Sequence, residues 1–210
     1  ISNEEFFRFL AQRLIDLLSR NTAEGFVYRV DARLRPFGSA GPLSVSLAAL
    51  EAYLLQHGRD WERYAYIKAR VVNPWDDADG LYRDVLRPFI YRRYLDYGVF
   101  SSLREMKAMI AAEVEKKEYR ANLKLGPGGI REIEFIVQAL QLVRGGTVLG
   151  LRQQQLLRAL PQLVQAGCLP AADAADLETA YCFLRLAENR VQALHDRQTH
   201  DIPADPLDQQ

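Results

Sequence analysis

Apolar residues recur at intervals of three and four through most of this chain, and one short stretch alternates instead. Between Glu4 and Ser19, Phe6, Phe7, Leu10, Leu14, Leu17 and Leu18 share helical spacing, and Ser2 or Asn3 is placed to cap that helix. Asn21-Thr22-Ala23-Glu24-Gly25 reads as a turn. From Phe26 to Leu34 the period drops to two: Phe26, Tyr28 and Val30 point one way, and Arg29, Asp31 and Arg33 the other, as in a strand. A Gly/Pro-rich loop, Arg35 to Pro42, then leads into a short extended stretch near Leu43–Val45.

From Ser46 onward the pattern is helical. It predicts helices at Leu47–Gln56, from Asp60 as N-cap to about Val72, and at Leu81–Asp96, Ser101–Lys117, Ile130–Arg144, Gln153–Gly167 and Ala171–His195. Asn73–Gly80 is a loop, and Pro88 predicts a kink or break within its helix. The expected fold is α+β and mostly α, with residues 1–45 as the tail of an α/β unit and 46–210 as a helical bundle. One strand cannot make a sheet. Its partners must lie outside this chain or in another molecule, so local disorder near residues 1–45 or self-association is expected.

Composition narrows the function classes. Lys plus Arg and Asp plus Glu number 27 each, so no overall charge draws the chain to nucleic acid or an anionic membrane, and phosphate chemistry must come from a local basic cluster. No apolar run reaches the roughly 20 residues that span a bilayer. The opening residues, Ile1-Ser2-Asn3-Glu4-Glu5, lack the basic and apolar regions of a signal peptide. Cys168 and Cys182 write neither a disulfide framework nor a zinc site, which suits a cytoplasmic protein with two inert thiols. The absence of an initiator Met and the polar run at the end read as an excised segment.

Three stretches could carry chemistry. Tyr28 to Gly38 sets Asp31 between Arg29 and Arg33 on one strand face, with Arg35 and a Gly-rich loop beyond. Such a carboxylate can ligate Mg²⁺ and such arginines can grip phosphate, or the three can simply pair at a surface. On a helix from Asp60, Trp61, Tyr64, Ala65 and Lys68 share one face, while Glu62, Tyr66 and Arg70 form a neighbouring stripe. That face reads as core anchored by Trp61 and Tyr64, or as a helix presenting Arg59, Lys68 or Arg70 to an anion. The third, Leu123 to Phe135, is a Gly-rich loop opening a helix, whose free N–H groups and dipole suit anions. Yet no Gly-Lys-Ser/Thr follows it, and Glu132 and Glu134 sit in the first turn. The apolar stripes Ile133, Ile136, Val137, Leu140, Val143 and Leu177, Ala180, Tyr181, Leu184, with Ala187 or Glu188, read as bundle core. His57, His195 and His200 are scattered and write no metal pair.

Taken in order, Tyr28–Gly41, Gly58–Arg70, Gly129–Gln138 and Gln198-Thr199-His200 resemble the glutamine synthetase adenylyltransferase family over nearly the whole chain. The resemblance implies two nucleotidyltransferase units in tandem, one attaching AMP to a tyrosine of glutamine synthetase and one removing it by phosphorolysis to give ADP. Arg35-Pro36-Phe37-Gly38 and Gly58-Arg59-Asp60-Trp61-Glu62-Arg63-Tyr64-Ala65 are similar to the N-terminal, adenylyl-removing copy. The adenylylating copy and a non-catalytic helical module that docks glutamine synthetase or the PII protein are the alternatives.

The family resembles DNA polymerase beta in holding two Mg²⁺ ions on three sheet carboxylates, two of them from a Gly-Ser…Asp-x-Asp motif. Asp31 matches the third, as metal ligand or base, and Arg33 and Arg35 match phosphate contacts. The resemblance thus assigns residues 1–45 to a nucleotidyltransferase catalytic domain and 46–210 to a bundle like that of the PII uridylyltransferases. Glutamine synthetase, PII, ATP or ADP, and phosphate are the implied partners, with Mg²⁺ as cofactor. The departure is that the Gly-Ser…Asp-x-Asp motif is missing. Asp77-Ala78-Asp79 lies after Asp31 in a loop without apolar flanks, where Asp79 serves at most as a helix cap. One carboxylate cannot assemble a two-metal site, so the chain alone is expected to be catalytically incomplete.

Overall fold

The computed structural model describes residues 1–72, 80–93, 98–116, 119–194 and 199–203. It forms two compact units, Ile1–Glu62 and Arg63–Gln210. Residues 73–79 of the expected Asn73–Gly80 loop, with Asp77-Ala78-Asp79, lie outside the described residues, as do His195 and Gln198.

The first unit opens with helix α1 (Asn3–Ser19). The Ser2 hydroxyl accepts from the Glu5 amide, and the Glu5 carboxylate accepts from the Ser2 amide. This capping box starts the helix where the polar-to-apolar switch places it. Although α1 is amphipathic, none of its residues is buried: Phe6, Phe7, Phe9, Leu10, Leu14 and Leu17 stay 52–67% exposed. Helix α2 (Leu47–Gln56) starts on Ser46, whose hydroxyl accepts from the Ala49 amide, and buries Leu54.

The segment 26–34 corrects the sequence expectation, because it forms no strand. Among the described residues the β pairings are isolated bridges, Thr22 with Gly25 and Asn122 with Asp201. Alternation prepares a backbone for a sheet, but a strand exists only where a neighbour takes its N–H and C=O groups. Here the Tyr28 amide donates to the Leu18 carbonyl instead. The stretch 43–45 is likewise without a ladder. The described residues are therefore mostly helical.

Helix α3 (Asp60–Tyr66) takes Asp60 as its first residue and stops well short of Val72. The chain then tightens, with Ile67, Lys68 and Ala69 amides reaching carbonyls three residues back. Trp61 is 39% exposed and is not the core anchor expected of it; Glu62 and Arg63 of the helix, and Ile67 just beyond its end, are buried instead.

In the second unit a π-helical turn, Leu81–Leu86, runs into α4 (Arg87–Ile90). The helix runs on through Pro88 without the expected break, and Pro88 accounts for the wide turn before it: it has no N–H, and its ring excludes the carbonyl four residues back. The wide turn relieves this, with the Arg87 amide reaching the Tyr82 carbonyl five residues back. Buried Arg63 caps α4, donating Nη2 to the Ile90 carbonyl at 2.9 Å and Nε to that of Phe89 at 3.1 Å.

Helices α5 (Gly98–Lys116), α6 (Ile130–Arg144), α7 (Leu156–Gln165) and α8 (Ala171–Leu194) follow. Ile133 and Val137 of α6 pack with Leu156, Ala159, Leu160 and Leu163 of α7 and with Ala174 of α8 into one core. On α8, Leu177, Tyr181 and Leu184 continue that face, and Glu188 ends it, buried. Ile136, expected in the stripe, is 39% exposed; Phe135 and Leu142 are buried instead, so α6 is covered on more than one side. Among the described residues no helix is long and apolar enough to cross a membrane.

Candidate functional site

Asp31 lies in an exposed, irregular segment of the first unit, where Arg33 takes its carboxylate. Arg33 Nη2 donates to Oδ2 at 2.6 Å, Nε to both oxygens at 3.0 Å, and the Arg33 amide to Oδ1 at 3.0 Å. These bonds, the side-chain ones first, hold the Asp31 carboxyl down at about 2. It is an anion at any physiological pH. As a site for Mg²⁺, this segment offers one carboxylate whose two oxygens already accept from a guanidinium. The described residues contain no group of three His, Cys, Asp or Glu able to hold a metal ion. Among the described residues, then, no donor set makes a two-metal site.

Arg35 is committed differently. Its Nε donates to the Gly41 carbonyl at 3.1 Å, Nη2 to that of Ser39 at 3.2 Å, and Nη1 to that of Ala32. The guanidinium thus braces its own loop. Phe37 sits in the left-handed region at φ 61°, and its ring meets Tyr53 edge-on at 4.8 Å. Gly41 is required, since a Cβ there would fall 1.8 Å from the Pro36 carbonyl oxygen. Nearby, Tyr53 donates its hydroxyl to buried Glu62 at 2.8 Å, and the Arg59 amide takes the other Glu62 oxygen at 2.9 Å. Burial, and then Glu62, push the Tyr53 phenol up.

In the second unit the structure joins two of the sequence motifs. Lys68 pairs with Glu134 of α6, Tyr181 of α8 approaches the same carboxylate oxygen at 3.4 Å, and the Tyr64 ring lies 5.8 Å from that of Phe135. Burial first and Glu134 second raise the Tyr64 phenol above its ordinary range, as they do for Tyr181. Lys68 thus faces a carboxylate, not an open anion site. The expected Glu62–Tyr66–Arg70 stripe is not made, because α3 ends at Tyr66.

The Gly-rich loop has no N–H groups left for an anion. The Gly128 amide donates to Glu132 Oε2 at 2.8 Å, Gly129 to the Gly126 carbonyl, Ile130 to that of Leu123, and Arg131 to that of Lys124, each at 3.0 Å. Glycine at 129 is needed for packing, because a Cβ would meet the Leu123 and Gly126 carbonyl oxygens at 2.8 Å. A groove of about 740 Å³ lies between α5 and this loop, lined by Ile110, Val114, Leu125, Pro127, Arg131 and Phe135.

Sequence reasoning missed Arg63, and its signal was available: it shares the buried face of Ile67 four residues on. Arg185, three residues before Glu188 on α8, was a local signal for that carboxylate, whereas the pairings of Lys68 with Glu134 and of His200 with Glu188 join residues far apart or outside the helix and carried none.

The comparisons agree with this arrangement of motifs. The family model described as glutamate-ammonia ligase adenylyltransferase matches residues 1–82, and the one described as GlnD PII-uridylyltransferase matches residues 104–210. A bifunctional glutamine synthetase adenylyltransferase/adenylyl-removing enzyme from Stenotrophomonas maltophilia (strain R551-3) is 52% identical across all 210 residues, which span 23% of that relative's length. The chain therefore belongs to the glutamine synthetase adenylyltransferase/adenylyl-removing enzyme family and corresponds to a fragment of its longer members.

Proposed function

We propose that this chain is part of an enzyme that controls glutamine synthetase by reversible adenylylation. It belongs to the half that removes AMP from a glutamine synthetase tyrosine by phosphorolysis, giving ADP. The observation that carries this reading is the 52% identity over all 210 residues. Arg35-Pro36-Phe37-Gly38 and the Gly58–Ala65 block favour the adenylyl-removing copy. In this reading residues 1–45 close a nucleotidyltransferase sheet whose other strands lie outside the chain, and the uncovered apolar face of α1 supports that. Asp31 lends one carboxylate to a Mg²⁺ site completed by residues outside the chain. Arg33, exposed, turns toward phosphate only by releasing the Asp31 carboxylate, and Arg35 only by giving up the loop it braces. ATP or ADP, phosphate, glutamine synthetase and the PII protein are the proposed partners, and the cytoplasm the place of action.

A second reading, in which the helical unit docks glutamine synthetase or PII without chemistry, is favoured by that unit's closed core. Both hold together in the longer enzyme. The test is phosphate-dependent ADP release from adenylylated glutamine synthetase by the full-length protein, with and without Asp31→Asn. A loss of about a hundredfold or more at unchanged stability supports the carboxylate role. Unchanged turnover removes that role and leaves the chain as scaffold and docking surface.

A further inference from the structure

The segment Thr199–Ile202 returns to the start of α6 and is held there at several points. The Leu123 amide donates to the His200 carbonyl at 2.8 Å, and the Ile202 amide to that of Ala121 at 2.9 Å. Asn122 Nδ2 donates to Asp201 Oδ1 at 2.7 Å, while its Oδ1 accepts from the Lys124 and Leu125 amides at 3.1 and 2.8 Å. On the other side, His200 Nδ1 lies 2.8 Å from Glu188 Oε1, and Arg185 Nη1 lies 2.6 Å from Oε2. Glu188 is 3% exposed, so its carboxylate depends on these two partners.

One continuous set of bonds therefore runs from α8 through His200 to Leu123, and from the Leu123 carbonyl to the Ile130 amide at the head of α6. The Gly-rich turn between them supplies Leu125, Gly126 and Pro127 to one wall of the groove. We propose that Thr199–Ile202 is a latch, a conformational device that fastens α8 to the Gly-rich turn and sets that wall of the groove. Opening it frees the turn while the α6–α7–α8 core stays closed, because none of the buried core residues belongs to the latch.

Hydrogen exchange on the full chain tests this. Asn122→Asp keeps the oxygen that accepts from Lys124 and Leu125 but turns the group facing Asp201 from donor to like charge. Exchange at amides 123–131 is expected to rise about tenfold, with the α7 amides unchanged. Adding Asp201→Asn restores a donor–acceptor pair in reverse, and exchange should return toward the wild-type rate. No rise with Asn122→Asp, no recovery in the double variant, or an equal rise throughout α6, α7 and α8 would each overturn the latch. His200→Ala gives an independent opening from the α8 side, with the same local rise expected; no change there also counts against it.

Discussion

The two units put similar apolar content to opposite uses. In Arg63–Gln210, Ile67, Ile90, Val137, Leu151, Ala159 and Leu163 are completely buried, and α6, α7 and α8 cover one another. In Ile1–Glu62, α1 carries a well-formed apolar stripe and buries none of it. Local rules shaped both: α1 has the better cap and needs no tertiary contact to begin. What differs is the presence of a second layer, and only the second layer turns a stripe into a core. A sequence pattern thus announces which face wants cover, and the rest of the protein decides whether cover exists.

The sharpest way to break this contrast is to truncate matched leucines. Leu160→Ala should cost about 2–5 kcal/mol in denaturant unfolding, through lost transfer energy and the cavity left behind. Leu14→Ala, in the exposed stripe, should cost under about 1 kcal/mol in the same chain. Equal costs would mean that α1 is packed after all. Arg63→Leu should cost about 2–4 kcal/mol, since it strips the cap from the buried Phe89 and Ile90 carbonyls; a neutral effect would mean other groups replace it.

A smaller effect concerns pH. The Glu5 carboxyl is lowered by the capping box, chiefly by the Ser2 amide, from its ordinary value of 4.5. Its contribution to α1 is present above that value and fades as pH falls through the lower folded value. Helix signals at residues 3–6 should therefore weaken as the pH falls below 4.5, while α7 stays unchanged, and Glu5→Gln should remove the pH dependence.

Much of this was legible in advance where the cause is local. Ser46 and the apolar run after it define α2 to the residue, and Gly129 and Arg144 bound α6 as its pattern does. Pro88 announced a disturbance, which takes the form of a π-helical turn ahead of it and not of a break. The expected strand failed because a ladder is a tertiary fact: Phe26, Tyr28 and Val30 alternate with no neighbour to pair. The candidate site divides in the same way. Asp31 and Arg33, two apart, were readable as an ion pair or a ligand set, and the geometry shows the pair. Lys68 with Glu134 and His200 with Glu188 depend on how helices return, which spacing does not encode. The Gly-rich loop looked like an anion cradle because its internal acceptors, the Leu123 and Lys124 carbonyls and Glu132, become visible only once it is folded.

The most direct test of the account is amide hydrogen exchange at residues 26–34, measured in this 210-residue chain and in the full-length protein. The account predicts fast exchange in the chain alone and protection of about a hundredfold or more in the full-length protein, where the missing strands complete the sheet. Amides of α6 and α7 should exchange equally slowly in both. Equal exchange of residues 26–34 in the two would contradict it, and would leave that segment as a loop in its own right.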